Sequence, residues 1–442
     1  MRLEKTISSV LEIAKQETER PEWIEASVWS ERMLAALNNG VKGGKWFSLI
    51  DKVYAMTTLN VAWQRVKANK GAAGVDQISI ERFEANVDGY LQELHEGLKN
   101  QTYRPNAVKR VYIPKSDGKQ RPLGIPTVKD RIVQTAIKMV IEPIFEHEFL
   151  AMNYGFRPQL SCKDALREVD HLLKSGYTNV VDADVKSYFD SIPHDLLMQQ
   201  VEERISDGKL LDLVRLFLQQ EIMDGLEQWT PTNGTPQGAV LSPLLANIYL
   251  HPLDKFITEQ GLKMVRYADD FVILCQNPNE ADKALVQVSE WVNRNGLTLH
   301  PDKIHMGNCL EQGQGFEFLG YWIEAGKRWV RSKSRQALRD KIRSKTRRNR
   351  SGSMKEIIEN LNPMLKGWFN YFKHAYHTEF KTIDGFVRRR LRALLLRRNK
   401  RKGWGSSIQA HLWWQNSYFA EIGLFTMHEA RLRLCQSRCG NE

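Results

Sequence analysis

Polar and apolar positions alternate along Asn179-Val180-Val181-Asp182-Ala183-Asp184. Val181 and Ala183 share one side of an extended segment and Asp182 and Asp184 the other, so a strand is predicted to end on an acid. Two more apolar runs, Met264-Val265 and Phe271-Val272-Ile273-Leu274, bracket Tyr267-Ala268-Asp269-Asp270 and predict a hairpin with adjacent carboxylates at its tip. Val108 to Ile113 alternates in the same way, turns at Ser116-Asp117-Gly118-Lys119 and returns through Arg121 to Ile125 as a second hairpin. Helical spacing takes over elsewhere, at Leu59 to Val66, Ile80 to Leu98, Val128 to Phe145, Cys162 to Lys174 and His194 to Ile205. A helix over Glu280 to Asn295 sets Leu285, Val288 and Val292 on its apolar side, facing the sheet. Further on, Ser334 to Asn349, Met354 to Tyr376 and Phe380 to Asn399 predict a three-helix bundle, in which Trp368, Phe369 and Phe372 read as packing. Residues 1 to 50 have helical character interrupted at Gly40 to Gly44, and no role is assigned to them.

With 442 residues and 42% hydrophobic content, the chain is long and apolar enough for two to four folded units. No stretch approaches the ~20 apolar residues of a membrane span. The first twenty residues mix Glu, Lys and Arg without a signal-peptide core, so a cytoplasmic, membrane-free protein is expected. Five cysteines without a CxxC pair argue against a disulfide framework or structural zinc, and Cys435 and Cys439 read as ordinary thiols. Charge changes the picture more. The net +12 conceals one block, Lys327 to Lys402, with 25 Lys or Arg against 5 Asp or Glu, while the remainder is net negative at −8. A segment so one-sided repels itself unless it meets a polyanion, which points to nucleic acid.

Three carboxylates, Asp184, Asp269 and Asp270, would repel by roughly 4 kcal/mol per pair at ~4 Å and an effective dielectric of about 20 unless hard cations neutralise them. Magnesium is the implied cofactor. Two Mg²⁺ ions, for which Mn²⁺ can substitute, clamp the attacking and leaving oxygens of a phosphoryl transfer. Lys115 and Arg121 flank the turn of the first hairpin, ordinarily a solvated position, and have a triphosphate to reach only through the resemblance drawn below. An acidic pair at a turn is, taken alone, an ordinary solvated feature. Its neighbours alter that reading.

Asp184-Val185-Lys186-Ser187-Tyr188-Phe189-Asp190 is followed by Gly234-Thr235-Pro236-Gln237-Gly238, then Leu241-Ser242-Pro243-Leu244-Leu245-Ala246-Asn247, then Tyr267-Ala268-Asp269-Asp270. In this order the chain resembles the palm of a reverse transcriptase, and the flanking wording is closest to bacterial group II intron reverse transcriptases, or maturases. Gly74-Val75-Asp76, Asn153 to Pro158, Leu297 to Lys303 and Phe316 to Tyr321 resemble further motifs of that family, the last its primer grip. The resemblance runs from about residue 50 to at least residue 400.

The resemblance implies an α+β, right-hand polymerase: fingers and palm of antiparallel sheet plus helices, then an α-helical thumb bundle and a small C-terminal module. The implied boundaries are an extension at 1–50, fingers at 51–180, palm at 181–325, a basic thumb or maturase region at 326–402, and a nucleic-acid-contacting module at 403–442. Phe189 matches the aromatic sugar gate, whose ring leaves no room for a ribose 2′-hydroxyl. Gln237 would touch nucleotide or template, because an amide both donates and accepts. Lys303 would stand near the incoming nucleotide. Arg343, Lys345, Arg347, Arg348, Arg388 and Arg389 are the candidate nucleic-acid contacts of the basic block. Implied partners are an RNA template, a primer strand, deoxynucleotide triphosphates, group II intron RNA and target DNA. The endonuclease domain of many relatives, with its His-Asn-His residues, is not among the motifs of this chain. Two alternatives stay open: a domesticated reverse transcriptase in DNA repair or defence, and an RNA-binding splicing cofactor whose polymerase is dispensable. Oligomeric state is open as well.

Overall fold

A computed structural model describes residues 20–41, 43–114 and 120–439, which form two compact units divided between His305 and Met306. The first unit is organised around a buried helix, α3 (Val128–Glu146), preceded by α1 (Met56–Ala68) and α2 (Val87–Lys99). Thr127 caps α3 by accepting from the Asp130 amide at 3.2 Å. Fourteen of its nineteen residues are buried, the pattern of a helix enclosed on every side. Its sides are covered by α1, α2 and, through an indole N–H donated to the Met139 carbonyl at 3.1 Å, Trp29.

The first hairpin forms as expected, β1 (Val108–Pro114) against β2 (Gln120–Ile125), with Val111 opposite Leu123. Two short strands not anticipated from the sequence, β4 (Ile222–Asp224) and β5 (Glu227–Trp229), extend this sheet, β4 running parallel to β1. Three-residue strands are too short to show a period of two. The second sheet contains β3 (Asn179–Asp184) beside β7 (Asp270–Cys275), which pairs in turn with β6 (Lys263–Tyr267), all antiparallel. Helix α4 (Ser242–Glu259) precedes β6, and α5 (Pro278–Arg294) packs on β3 and β7.

The face that α5 buries differs from expectation. Ala281, Ala284, Val288 and Val292 are buried, whereas Leu285 stands at the margin. Two alanines let the helix approach the sheet closely, and alanine is a weak marker in an apolar pattern. The helix predicted over Ile80 to Leu98 is two, Ile80–Glu84 and α2, broken at Asn86, whose φ of −141° leaves the helical region.

The second unit holds a small antiparallel sheet, β8 (Phe316–Phe318), β9 (Tyr321–Glu324) and β10 (Lys327–Val330), with Tyr321 opposite both Phe318 and Val330. Three helices follow, α6 (Ser332–Lys345), α7 (Met354–Phe372) and α8 (Thr378–Arg398), close to the predicted bundle. A capping box of Ser353 and Glu356 starts α7. Phe369 and Phe372 are buried, with Phe369 5.3 Å from Phe380 and Trp368 4.7 Å from Phe372 between ring centres, so these aromatics are packing. Two short helices, Ile408–Trp413 and Asn416–Glu421, lead to α9 (Met427–Cys439), whose first amides, Met427 and His428, donate to Asp384. Cys435 is an exposed free thiol, and the side chain of Cys439 lies outside the described residues. Among the described residues no helix is long and apolar enough to cross a membrane.

One buried group of α4 sets an acid limit. Neither ring nitrogen of His251 has a hydrogen-bond partner, and burial, reinforced by Lys255, Arg266, Arg204 and Arg157, pushes its pKa down to about 4. The unfolded chain takes up this proton near the ordinary value of 6.5, while the folded chain resists it until about 4. Stability attributable to His251 is therefore intact above pH 6.5 and lost as pH falls through that window. His251→Phe should remove about 2 kcal/mol of the destabilisation that denaturant titrations measure between pH 7 and pH 5. Identical pH dependence in both proteins would refute this.

Candidate active site

Strand register brings the acids together. Asp184, last in β3, lies directly across from Asp270, first in β7, and Asp270 also faces Tyr267 of β6. Cα atoms so paired are about 5 Å apart. Ala268 and Asp269 form the two-residue loop of the hairpin, with Ala268 at φ +62°, the left-handed region that tight hairpin turns use. The apolar residues of β3 are buried, while Asp182 and Asp184 keep partial access to solvent.

The electrostatics are those of crowded like charges. Burial first, and then the Asp184 charge, push the Asp269 carboxyl above its usual range, while Arg121 and Lys303 pull it back. Lys303 forms an ion pair with Asp184. It arrives on the turn Pro301–Lys303, which is set beside β3 because the His300 amide donates to the Asp184 carbonyl at 2.8 Å and the Lys186 amide to the Thr298 carbonyl at 2.8 Å. Among the described residues, no three acidic, His or Cys side chains are drawn together closely enough to hold a metal ion. The donor set itself, carboxylate oxygens held in a partly dry place against their mutual repulsion, suits a hard divalent cation.

Beside the acids, Ser187 at φ +49° turns the chain out of β3. Tyr188 goes inward and donates its hydroxyl to the Ala246 carbonyl at 2.5 Å. Phe189 stays half-buried, edge-on to Phe156 with ring centres 6.3 Å apart, so the core role that either aromatic could have filled belongs to Tyr188. Gly234, at φ +87°, passes so close that a Cβ there would stand 2.7 Å from the Phe189 carbonyl, and the Thr235 amide donates to that carbonyl at 2.6 Å. Gln237 receives Arg121 Nε on its amide oxygen at 3.1 Å and donates its amide nitrogen to Asp190 at 3.1 Å. The Gln237 carbonyl also accepts from the Gly124 amide at 2.6 Å. The β1–β2 hairpin, the Pro-Gln-Gly loop and the Phe189 segment are thereby tied. Asp190 was without a role in the sequence, where nothing separates it from a solvated acid. Lys115 lies outside the described residues.

The basic candidates all fall in the second unit. Arg343, Arg347, Arg348 and Arg389 are exposed, and Lys345 and Arg388 half-exposed. The guanidinium groups of Arg339, Arg343 and Arg389 all lie within 5.8 Å of the Phe386 ring centre. Arg390, missed in the sequence, clamps α8 to the end of α6 through the Thr346 hydroxyl at 3.1 Å and carbonyl at 2.8 Å. Burial lowers its pKa, and Arg348, Arg343 and Arg389 lower it further, a sign of cations crowded on one face.

A carboxylate-tipped hairpin paired with a third acid on the next strand, with an aromatic and a Pro-Gln-Gly loop alongside, defines the palm of a reverse transcriptase. The family profile "Reverse transcriptase (RNA-dependent DNA polymerase)" matches residues 113–323, and "Group II intron, maturase-specific domain" matches residues 335–413. The chain is 35% identical over 310 residues to Protein YkfC of Escherichia coli K12, covering 61% of this chain and 79% of that protein. It is 38% identical over 211 residues to the group II intron-encoded protein LtrA of Lactococcus lactis subsp. cremoris, covering 47% of this chain and 34% of LtrA. With Nuclear intron maturase 3, mitochondrial, of Arabidopsis thaliana it shares 23% identity over 317 residues, 64% of this chain and 42% of that one. The chain belongs to the group II intron reverse transcriptase and maturase family, with the right-hand α+β polymerase fold and RNA-directed DNA polymerase activity that membership carries. Such a domain works with a divalent metal on RNA and nucleotide substrates.

Proposed function

We propose that the chain serves a group II intron, copying RNA into DNA during the intron's movement and binding intron RNA to assist splicing. The observation that carries this reading is the register of Asp184 against Asp270, with Asp269 in the turn, in a chain that also matches the maturase-specific domain. Its partners would be an RNA template, a primer, deoxynucleotide triphosphates, group II intron RNA and target DNA, met in the cytoplasm. Residues 51–180 serve as fingers, 181–325 as palm, 326–402 as thumb and 403–442 as a nucleic-acid-contacting module.

In this reading Asp184, Asp269 and Asp270 hold two Mg²⁺ ions, or Mn²⁺ in their place. Bound ions of this kind neutralise the transferring phosphoryl group and make the primer hydroxyl more acidic. The protein's remaining work is positioning, since phosphoryl transfer asks little covalent chemistry of it. Phe189 underlies the sugar and excludes a 2′-hydroxyl. Arg121 exchanges Gln237 for the triphosphate, with Lys115 assigned to the same anion, and the freed Gln237 amide oxygen is offered to nucleotide or template while its nitrogen stays on Asp190. Lys303 carries positive charge from Asp184 toward the incoming nucleotide. The exposed arginines around Phe386, with Arg347, Arg348, Lys345 and Arg388, follow the nucleic-acid backbone.

Primer extension on an RNA template tests the catalytic assignment. Asp269→Asn should lower the rate by 10³-fold or more while RNA affinity stays within about twofold; an active variant would defeat it. Competition between ribo- and deoxynucleotides tests the gate. Phe189→Val should admit ribonucleotides at least tenfold more readily, and unchanged discrimination would place the gate elsewhere. For the basic face, neutralising Arg343, Arg347, Arg348 and Arg389 together should weaken template binding and reduce the salt slope by about three to four. Equal slopes would return these residues to a merely soluble surface.

A further inference from the structure

The tip that bears Asp269 is held from behind by a buried polar network. Arg266, just before the Tyr267-Ala268-Asp269-Asp270 turn, is fully enclosed, as is its partner Asp254 on α4. Its Nε donates to Asp254 Oδ1 at 2.7 Å and its Nη2 to Asp254 Oδ2, a bidentate pair. Its Nη1 reaches forward to the Ala268 carbonyl at 2.9 Å and sideways to Asn247 Oδ1 at 3.1 Å. Asn247, also on α4, donates its amide to the Gly155 carbonyl at 2.7 Å. Gly155 in turn lies so close to the turn that a Cβ there would stand 2.1 Å from the Ala268 nitrogen. Main-chain bonds complete the grip: the Tyr154 amide donates to the Arg266 carbonyl at 2.8 Å, and the Arg266 amide to the Met152 carbonyl at 2.9 Å.

The same helix also grips the other acid-bearing segment. Tyr188, four residues beyond Asp184, donates to the Ala246 carbonyl, adjacent to Asn247. One face of α4 thus fixes both the segment that follows Asp184 and the turn that holds Asp269. Burial raises the Asp254 carboxyl, and Arg266 opposes that rise. None of these side chains needs to meet substrate, and a core helix would pack more cheaply with apolar residues here. Directional bonds to the Ala268 carbonyl and the Gly155 loop supply something packing does not, an aim for the turn.

We propose that Arg266, Asn247 and Asp254 are positioning residues whose network on α4 sets the Asp269-Asp270 turn against Asp184 and so determines how tightly the carboxylates bind a divalent ion. This rests on the metal assignment made above.

The test is titration of the purified full chain with Mn²⁺, followed by loss of the free-ion electron paramagnetic resonance signal, with primer extension measured alongside. Asn247→Ala removes the bridge yet leaves the Arg266–Asp254 pair, and should weaken Mn²⁺ binding about tenfold, lower the extension rate similarly and leave primer–template affinity unchanged. Arg266→Lys, which keeps the charge and loses the fork, should do more. Ile257→Val, a buried apolar change on the same helix, controls for simple destabilisation and should leave Mn²⁺ binding as in the parent. Asn247→Ala binding Mn²⁺ as tightly as Ile257→Val would overturn the proposal, even if Arg266→Lys fails to fold. Retention of full Mn²⁺ binding by Asp269→Asn would instead remove the metal assignment, so the two failures are distinct.

Discussion

Like-charge repulsion among carboxylates is the constraint around which the first unit is organised. Two acids on facing strand ends and a third in the adjoining turn would separate if the backbone were free, since each pair costs several kcal/mol in a partly dry setting. Antiparallel register denies them that freedom. Burial of β3 and β7 beneath α5 makes the register expensive to slip, because a shift by one residue would turn Val181 and Ala183 outward and the acids in. Lys303 and Arg121 lower the cost without removing it, for the Asp269 carboxyl is still pushed up by burial and by Asp184. A site held against its own repulsion is prepared for a cation.

The parts of this arrangement that were legible in the sequence are those with a local signature. Alternation exposed β3 and the first hairpin, two apolar runs the second, the order of motifs named the palm, and helical spacing from Val128 predicted α3 to within a residue at its end. What stayed hidden is of two kinds. Weak or brief patterns failed: β4 and β5 are three residues each, and the two alanines on the buried face of α5 left Leu285 looking like its centre. Long-range polar contacts failed for a different reason. Lys303 with Asp184, Arg121 with Gln237, and Arg266 with Asp254 have no periodicity, and a buried arginine reads in a sequence like an exposed one.

The same blindness affects the basic block. A count of 25 cations between Lys327 and Lys402 signals a polyanion partner but treats every cation alike. In the folded unit some are structural: Arg390 clamps α8 to α6, and Arg392 is buried, donating to the Trp414 carbonyl at 2.9 Å and to Asn416 at 2.9 Å. Arg335 is paired with the buried Glu379. Those cations are spent on the fold. The exposed cations that remain, among them Arg343 and Arg389 beside Phe386, are fewer than the count, so the total overstates the charge left on the surface.

Within the first unit, the ties among Arg121, Gln237 and Asp190 link three separate segments of the chain. The Gly124 amide and Arg121 side chain hold one end of the Pro-Gln-Gly loop, while Thr235 and Gln237 hold the Phe189 segment at the other. The β1–β2 hairpin, the Pro-Gln-Gly loop and the Phe189 segment thus share one chain of hydrogen bonds. Under the proposed function, a triphosphate that draws Arg121 away would remove the cation from the Gln237 oxygen and leave the amide nitrogen on Asp190, so the loop would keep its grip on the Phe189 segment while its acceptor becomes free. Under that function, anion binding at Arg121 and exclusion of the 2′-hydroxyl at Phe189 would be coupled through the Gln237 side chain, by exchange of a neutral amide for a phosphate on Arg121.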